Sequence, residues 1–228
     1  MGRNLIKLVL ITNYHGLTKM KLYHCRDSRS VRPLWALEEL QLDYELINME
    51  FPPRYNHEGY LHINPLGTVP TFIDRNLVMT ESAAICQYLV DKYGTSEIGL
   101  SIEHPEYGDY LNWIHRSDTT FTFPQALILR YDRYEKPDRL QPQVVEDYKK
   151  WLSSRLNSVE VALETSDYLC AGKFTIADIC VGYALFLAQK TENDNNFGPH
   201  TRDYLKRLMA RDGFKAAMNQ QKDLAPIF

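Results

Sequence analysis

The chain has 228 residues, a formal net charge of -3 and ordinary apolar and aromatic content, enough for one large or two modest domains. A slightly acidic chain without a basic patch lacks the charge that nucleic-acid binding needs, so we expect no nucleic-acid partner. Its four cysteines form no C-x-x-C pair and show no zinc-binding spacing. This pattern predicts reduced thiols in a cytosolic protein and no metal site.

The first nineteen residues contain one short apolar run, LIKLVLI. It is too short to cross a bilayer and no small-residue cleavage site follows it, so we predict neither a membrane segment nor a signal peptide. We interpret residues 1–19 as an N-terminal extension without a functional role. An added edge strand is the alternative.

Residues 20–94 carry the pattern of a small α+β domain. Residues 21–24 and 44–49 read as strands, and residues 30–42 read as a helix with one apolar face. A crossover of this length makes the two strands parallel, with a right-handed connection. Residues 50–62 predict a polar, proline-containing loop with at most one helical turn.

A hairpin and a helix follow in residues 64–94, which begin NPLGTVPTFIDRNLVMTESAAI. Two short apolar runs flank an Asp-Arg-Asn turn of the length that joins antiparallel strands. The next helix begins at or beside Ser82 and ends at Gly94. Before the hairpin, Pro70 holds Val69 extended, and a cis Val69–Pro70 bond would aim the Val69 backbone N–H and C=O outward.

The helix start at Ser82 predicts an anion site. A helix N-terminus has unpaired N–H groups and a partial positive charge, and the Ser82 hydroxyl adds one more donor. Glu81 is an acceptor that suits an ammonium group. Together with the backbone strip at Val69, these groups suit an α-amino acid attached to a peptide. A capped surface helix after a hairpin is the alternative interpretation.

The second half of the chain reads as all-helical. Residues 95–102 are the predicted linker, and residues 103–228 the predicted helical domain. Thr175 and Asp178 form a Thr-x-x-Asp capping box before a helix that carries no charge from residue 179 to residue 189. We therefore expect a central buried helix, with Asp178 as a structural cap and not a catalytic acid.

The loop HCRDSRSVR joins the first strand to the first helix. Ligands of parallel α/β units lie at the carboxyl ends of strands, so this loop should lie beside the Ser82 helix start. Ser30 is the predicted N-cap of the first helix. Ser28, two residues earlier, is expected to have a hydroxyl that is free to face the pocket.

Four blocks together resemble the glutathione transferase family, in particular its serine-type bacterial and fungal members: LYHCRDSRSVRPLWALEEL, NPLGTVP, Glu81-Ser82 before a helix, and FTIADI. The resemblance covers nearly the whole chain from Met20. It implies a thioredoxin-like domain (βαβ-α-ββα) followed by an all-α bundle, glutathione as co-substrate, and a homodimer. It also implies that the Val69 main chain pairs with the cysteinyl backbone, beside Pro70, and that Glu81 and Ser82 hold the γ-glutamyl end.

The resemblance places Ser28 where serine-type members have a hydroxyl donor to the glutathione sulfur. A free thiol has a pKa of about 8.5, and the thiolate is the nucleophile. One hydroxyl donor and a helix N-terminus can lower that pKa by about one to two units, roughly 1.4 to 2.7 kcal/mol. Two alternatives stay open: a mixed disulfide at Cys25, although Arg29 holds the position of the family's cysteine, and donation by Tyr23. A buried thiol and a core tyrosine are the simpler interpretations of these two.

The second substrate is expected between the thiol and the first helices of the second domain. The candidates are His115, Asp118, Phe121 and Phe123, with packing at the domain interface as the alternative for each. Asp118 also has the alternative of reaching the glutathione of a neighbouring subunit.

The sequence thus predicts a cytosolic, dimeric glutathione transferase that activates the bound thiol for attack on small hydrophobic electrophiles. A glutathione-dependent disulfide or peroxide reductase is one alternative. A non-catalytic glutathione-binding module is the other.

Overall fold

A four-stranded sheet forms the centre of the first half of the chain in the computed structural model, which describes residues 19–94 and 97–228. The extension predicted for residues 1–19, with its edge-strand alternative, lies outside the described residues except for Lys19. Residues 95 and 96 of the predicted linker also lie outside them. Within the two described ranges, no helix has both the length and the apolar character that spanning a bilayer requires.

The sheet has the order β2-β1-β3-β4. Its strands are β1 (Met20–His24), β2 (Tyr44–Asn48), β3 (Thr71–Asp74) and β4 (Leu77–Met79). β1 pairs with β2 in parallel and with β3 antiparallel, and β3 pairs with β4 antiparallel. The predicted parallel pair and the predicted hairpin are both confirmed.

Between residues 19 and 94, four helices accompany this sheet: α1 (Val31–Glu39), α2 (Pro53–Asn56), α3 (Tyr60–Ile63) and α4 (Ser82–Tyr93). α1 is shorter than predicted, because the chain leaves the helix at Gln41, where φ is 52°. Residues 50–62 contain two short helices instead of at most one turn. Pro53 supplies a helical φ at the first position of α2, and Gly59, with φ at 77°, reverses the chain before α3.

The second half is helical, as predicted. Its helices are α5 (Tyr107–Arg116), α6 (Phe123–Leu129), α7 (Pro142–Ala162), α8 (Ile176–Lys190), α9 (Pro199–Met209) and α10 (Asp212–Gln220). Two wider π-helical turns, Ser117–Thr122 and Arg130–Tyr134, flank α6. Such turns change which side chains face a neighbouring element, and this change matters for the site.

α8 is the central helix of this half, and all its residues from Ile176 to Ala188 are buried. Its capping box is present: the Thr175 hydroxyl accepts a hydrogen bond from the Ala177 N–H at 3.2 Å, and the Asp178 carboxylate accepts one from the Thr175 N–H at 2.7 Å. The structural interpretation of Asp178 is therefore confirmed.

One hydrophobic core runs through both halves of the chain. The Trp35 ring on α1 meets the Phe214 ring on α10 edge-on, with centroids 4.9 Å apart. Gly182 lets Trp35 and Leu208 pack closely on α8, because a Cβ atom there would lie 2.6 Å from a methyl group of Leu208 and 3.3 Å from the Trp35 ring. The packing holds α1 against α8 and α10.

Candidate functional site

A cavity of about 250 Å³ lies in the cleft between the two halves of the chain. Its lining is Ser28, Arg29, Phe51, Pro53, Arg54, Gly67, Thr68 and Val69 from the first half, and Thr122, Ala126, Leu129, Tyr134, Tyr183, Leu187, Ile227 and Phe228 from the second. These described residues include two arginines and no acidic side chain. The cavity is therefore electropositive on one side and largely apolar on the other.

Val69 lines the cavity, and the bond between Val69 and Pro70 is cis. In the part of the chain that the structure describes, the Val69 N–H and C=O have no hydrogen-bond partner. The preceding turn is held by Asn64, whose side chain donates to the Thr68 carbonyl at 2.8 Å. Gly67 has a φ of 63°, and a Cβ atom there would lie 2.9 Å from the Arg54 Cβ. The Val69 backbone therefore keeps an unpaired donor and acceptor, which the expected contact with a peptide requires, and Pro70 is buried.

Ser28 lines the cavity, but its hydroxyl is not free as expected. Its Oγ lies 2.8 Å from the Cys25 carbonyl oxygen and 2.7 Å from the Ser30 Oγ. Ser30 stands just before α1, as predicted, yet its side chain does not cap the helix. The reason is that the Ser30 Oγ is bound instead to the His24 Nδ1, at 2.7 Å.

Cys25 and Tyr23, the two alternatives to Ser28, do not line the cavity. The Cys25 thiol is completely buried, 3.8 Å from the Glu50 carbonyl oxygen, and burial raises its pKa to about 12. Such a thiol is almost never ionised at neutral pH, which argues against a mixed disulfide. Tyr23 is also buried, and its ring packs against Tyr60 at 5.7 Å.

α4 begins at Ser82, as predicted. Glu81 is exposed and makes no capping hydrogen bond, whereas Ser82 is 2% exposed. The Ser82 Oγ accepts a hydrogen bond from the Arg32 Nη1 at 2.9 Å, which leaves its own hydrogen available. Neither residue lines the 250 Å³ cavity itself.

Arg32 is a site residue that sequence reasoning missed. Its guanidinium is completely buried and all its N–H groups are used. The acceptors are the Cys180 carbonyl (3.1 Å), the Ser117 carbonyl (3.0 Å), the Thr122 hydroxyl (2.8 Å), the Ser82 hydroxyl and the Asp118 carboxylate. Burial alone would raise the pKa of Asp118, but the Arg32 charge brings that pKa below its ordinary value. The only sequence signal was an arginine within the apolar side of α1.

None of the four residues expected around the second substrate lines the cavity. Phe121 is completely buried, Asp118 is paired with Arg32, and His115 and Phe123 are exposed. The π-helical turn before α6 changes the direction of the side chains along this segment. As a result Thr122, which stands between Phe121 and Phe123 in the sequence, lines the cavity. The apolar wall consists instead of Ala126, Leu129, Leu187 and Phe228.

Comparison with known proteins agrees with this architecture in both halves of the chain. The model of the glutathione S-transferase N-terminal domain matches residues 18–91, and that of the C-terminal domain matches residues 122–212. The chain belongs to the glutathione S-transferase family. A thioredoxin-like domain followed by a helical domain is therefore confirmed as its fold.

Relatives of this glutathione S-transferase occur in fungi. It is 29% identical to Glutathione S-transferase 1 of Schizosaccharomyces pombe in an alignment of 220 residues that covers 87% of this chain and 94% of that one. It is 34% identical to Glutathione S-transferase 2 of the same organism in an alignment of 151 residues that covers 63% of this chain and 64% of that one. A crystal structure of the glutathione transferase URE2P6 from Phanerochaete chrysosporium, in complex with oxidized glutathione, matches with a TM-score of 0.79 and 26% identity. The match covers 92% of this chain and 99% of that one.

Proposed function

We propose that this glutathione S-transferase binds glutathione across the cleft and activates its thiol for attack on small hydrophobic electrophiles. The observation that carries the proposal is the composition of the cavity. It combines an unpaired backbone strip at Val69, a serine at the N-terminus of α1, two arginines and an apolar wall. A charged peptide thiol and an apolar partner can meet there.

Glutathione is proposed to lie along the first half of the chain. The Val69 N–H and C=O, next to Pro70, pair with the cysteinyl backbone in the manner of an added β-strand. The γ-glutamyl end reaches the start of α4, where the helix N-terminus and the Ser82 hydroxyl bind its carboxylate and Glu81 binds its ammonium.

Arg54 is proposed to bind the glycyl carboxylate. It lines the cavity beside Thr68 and, among the described residues, it forms no ion pair. Its guanidinium stacks on the exposed Tyr55 ring, with 4.7 Å to the ring centroid. An arginine held in this way offers a planar pair of donors that matches a carboxylate.

Ser28 is the proposed contact of the glutathione sulfur. It is the only hydroxyl of the loop after β1 that lines the cavity, and it stands at the N-terminus of α1, where a negative charge is stabilised. The Arg29 side chain, beside it in the lining, forms no hydrogen bond or ion pair with the described residues and adds positive charge. Cys25 does not support a disulfide reductase because its thiol is buried. The homodimer and the cytoplasmic location stay predictions.

The test is the ultraviolet absorbance of the thiolate of bound glutathione, measured against pH in the wild type and in Ser28→Ala. We expect a depressed thiol pKa in the wild type that rises by about one to two units in the variant, with roughly 10- to 100-fold slower conjugation at neutral pH. Ser154→Ala, which removes an exposed hydroxyl, is the control. Full conjugating activity in Ser28→Ala would refute the role of Ser28.

A further inference from the structure

The loop that carries Ser28 is held in place by the helical half of the chain. It begins with a turn, in which the Ser28 N–H donates to the Cys25 carbonyl at 3.3 Å. Asp27, directly before Ser28, has a φ of 56°. This left-handed conformation costs free energy for a residue with a side chain, although aspartate tolerates it better than most residues. Contacts from other segments therefore help to maintain the turn.

The N–H, the carbonyl and the carboxylate of Asp27 are all bound by two residues of the helical half. Gln221, the first residue after α10, uses both ends of its amide. Its Oε1 accepts from the Asp27 N–H at 2.9 Å, and its Nε2 donates to the Asp27 carboxylate at 2.7 Å. The Tyr183 hydroxyl of α8 donates to the Asp27 carbonyl at 3.1 Å. Because all three residues are buried, these bonds are shielded from water and fix the backbone next to Ser28.

The segment after α10 contacts the same loop at two further points. Gln221 Oε1 lies 3.0 Å from His24 Nε2, at the end of β1. The Arg26 guanidinium donates to the Lys222 carbonyl at 3.2 Å and to the Leu224 carbonyl. The stretch from residue 24 to residue 27 is thus attached to one short segment from the other end of the chain.

We propose that Gln221 positions Ser28 for its contact with the glutathione sulfur. Gln221 is not among the described residues that line the cavity, so it acts through Asp27 and not through the ligand. A shift of about 1 Å in a group that contacts the reacting atoms can slow a reaction on the order of 100-fold. Loss of the Gln221 amide should therefore slow conjugation, although every group that touches glutathione is kept. This positioning role rests on the proposed function.

The first variant is Gln221→Met in the full chain, which removes the amide and keeps most of the side-chain volume. We expect kcat to fall about tenfold, with KM for glutathione within threefold, because the Val69 backbone and Arg54 are unchanged. In a Ser28→Ala protein the same change should slow conjugation less than twofold, since the positioned group is already gone. Gln220→Met, at the exposed neighbouring glutamine, is the matched control and should leave both constants unchanged.

A second pair of variants exchanges the charge between the two partners. Gln221→Glu brings two carboxylates face to face and should slow conjugation at least as much as Gln221→Met. Adding Asp27→Asn restores the pair with donor and acceptor reversed, because the new amide donates to the new carboxylate, which still accepts from the N–H of residue 27. We expect this double variant to recover to within about threefold of wild type.

Amide hydrogen exchange of residues 25–30, measured by mass spectrometry, reports on the loop without any substrate. Exchange should be faster in Gln221→Met than in wild type and in Gln220→Met. Unchanged exchange in Gln221→Met, an equal loss of kcat with and without the Ser28 hydroxyl, or a folded double variant that stays slow would each overturn the positioning role. A wild-type protein that converts no electrophile would instead refute the proposed transferase activity, and the exchange measurement would still decide whether Gln221 holds the loop.

Discussion

Arg32 is a buried charged residue whose contacts join the two halves of the protein. Its guanidinium contacts the start of α4 through Ser82, the turn before α6 through Asp118, and α8 through the Cys180 carbonyl. A buried cation of this kind is tolerated only when every donor has an acceptor. In the proposed glutathione site, Arg32 therefore acts indirectly, because it fixes the hydroxyl of Ser82.

Replacing Asp118 by asparagine should destabilise the protein strongly. The change leaves the completely buried Arg32 without its counter-charge, and breaking a buried pair costs about 3 kcal/mol or more. Since the Asp118 side chain is 27% exposed, we expect the lower end of that range. Urea unfolding measures the loss. Asp132→Asn, which breaks an exposed pair with Arg133, is the control and should change the free energy of unfolding by under about 0.5 kcal/mol.

Ala126→Phe tests the apolar wall of the cavity. A phenyl ring at this position of α6 would fill space that the proposed electrophile occupies, while the Val69 strip stays unchanged. We expect kcat/KM for apolar electrophiles to fall about tenfold or more, with glutathione binding retained. Ala210→Phe, at the exposed end of α9, is the control for the added bulk. Equal kinetics in both variants would place the second substrate elsewhere.

At the scale of elements, the start of α8 is held in place by several hydrogen bonds to Asp178. The Asp178 carboxylate closes the capping box, and its Oδ1 also accepts from the Leu169 N–H at 3.1 Å and from the Tyr204 hydroxyl at 2.8 Å. One side chain thus ties together the loop before α8, α8 itself and α9.

Asp178→Ala should therefore cost more than the loss of an ordinary cap. Removing a cap costs about 1 kcal/mol, and each buried donor left without a partner adds roughly 1 kcal/mol or more. We expect a loss of about 3 kcal/mol by urea unfolding. Asp212→Ala removes an exposed carboxylate from the first turn of α10 and should cost under about 1 kcal/mol. Similar losses in the two variants would contradict the network around Asp178.

At the scale of the whole molecule, ion pairs in both halves make the free energy of unfolding depend on pH in the acid range. In the first half, burial alone would raise the pKa of Asp74, but hydrogen bonds from Tyr88, Tyr93 and Lys92 lower it. In the second half, Arg32 lowers the pKa of Asp118. A carboxylate with a lowered pKa in the folded state stabilises the fold above its unfolded pKa of about 3.9.

We therefore expect that the titration of Asp74 and Asp118 leaves the urea midpoint unchanged between pH 5 and pH 7. The midpoint should decline as the pH falls below about 4, because both carboxylates are then protonated as the pH passes through their folded-state pKa values. The Asp118→Asn protein should show a shallower decline, because one of the two groups no longer titrates. An equally steep decline in that variant would show that Asp118 does not contribute to acid sensitivity.

The sequence by itself determined the local features of this protein. The parallel β1–β2 pair, the β3–β4 hairpin, the start of α4 at Ser82 and the capping box at Thr175 and Asp178 were all predicted. Each depends on apolar spacing or on capping and turn chemistry within a few neighbouring residues, and such preferences can be read without knowing the rest of the chain.

Only the tertiary structure decided how the site is arranged. The Ser28 hydroxyl bonds to Ser30, Ser30 bonds to His24, and His24 bonds to Gln221, 197 residues away in the chain. The partners of Arg32 come from three separate elements, and the wider turn before α6 turned Phe121 into the core. Hydrogen-bond direction and burial are set by which distant segments pack together, and no local pattern contains that information.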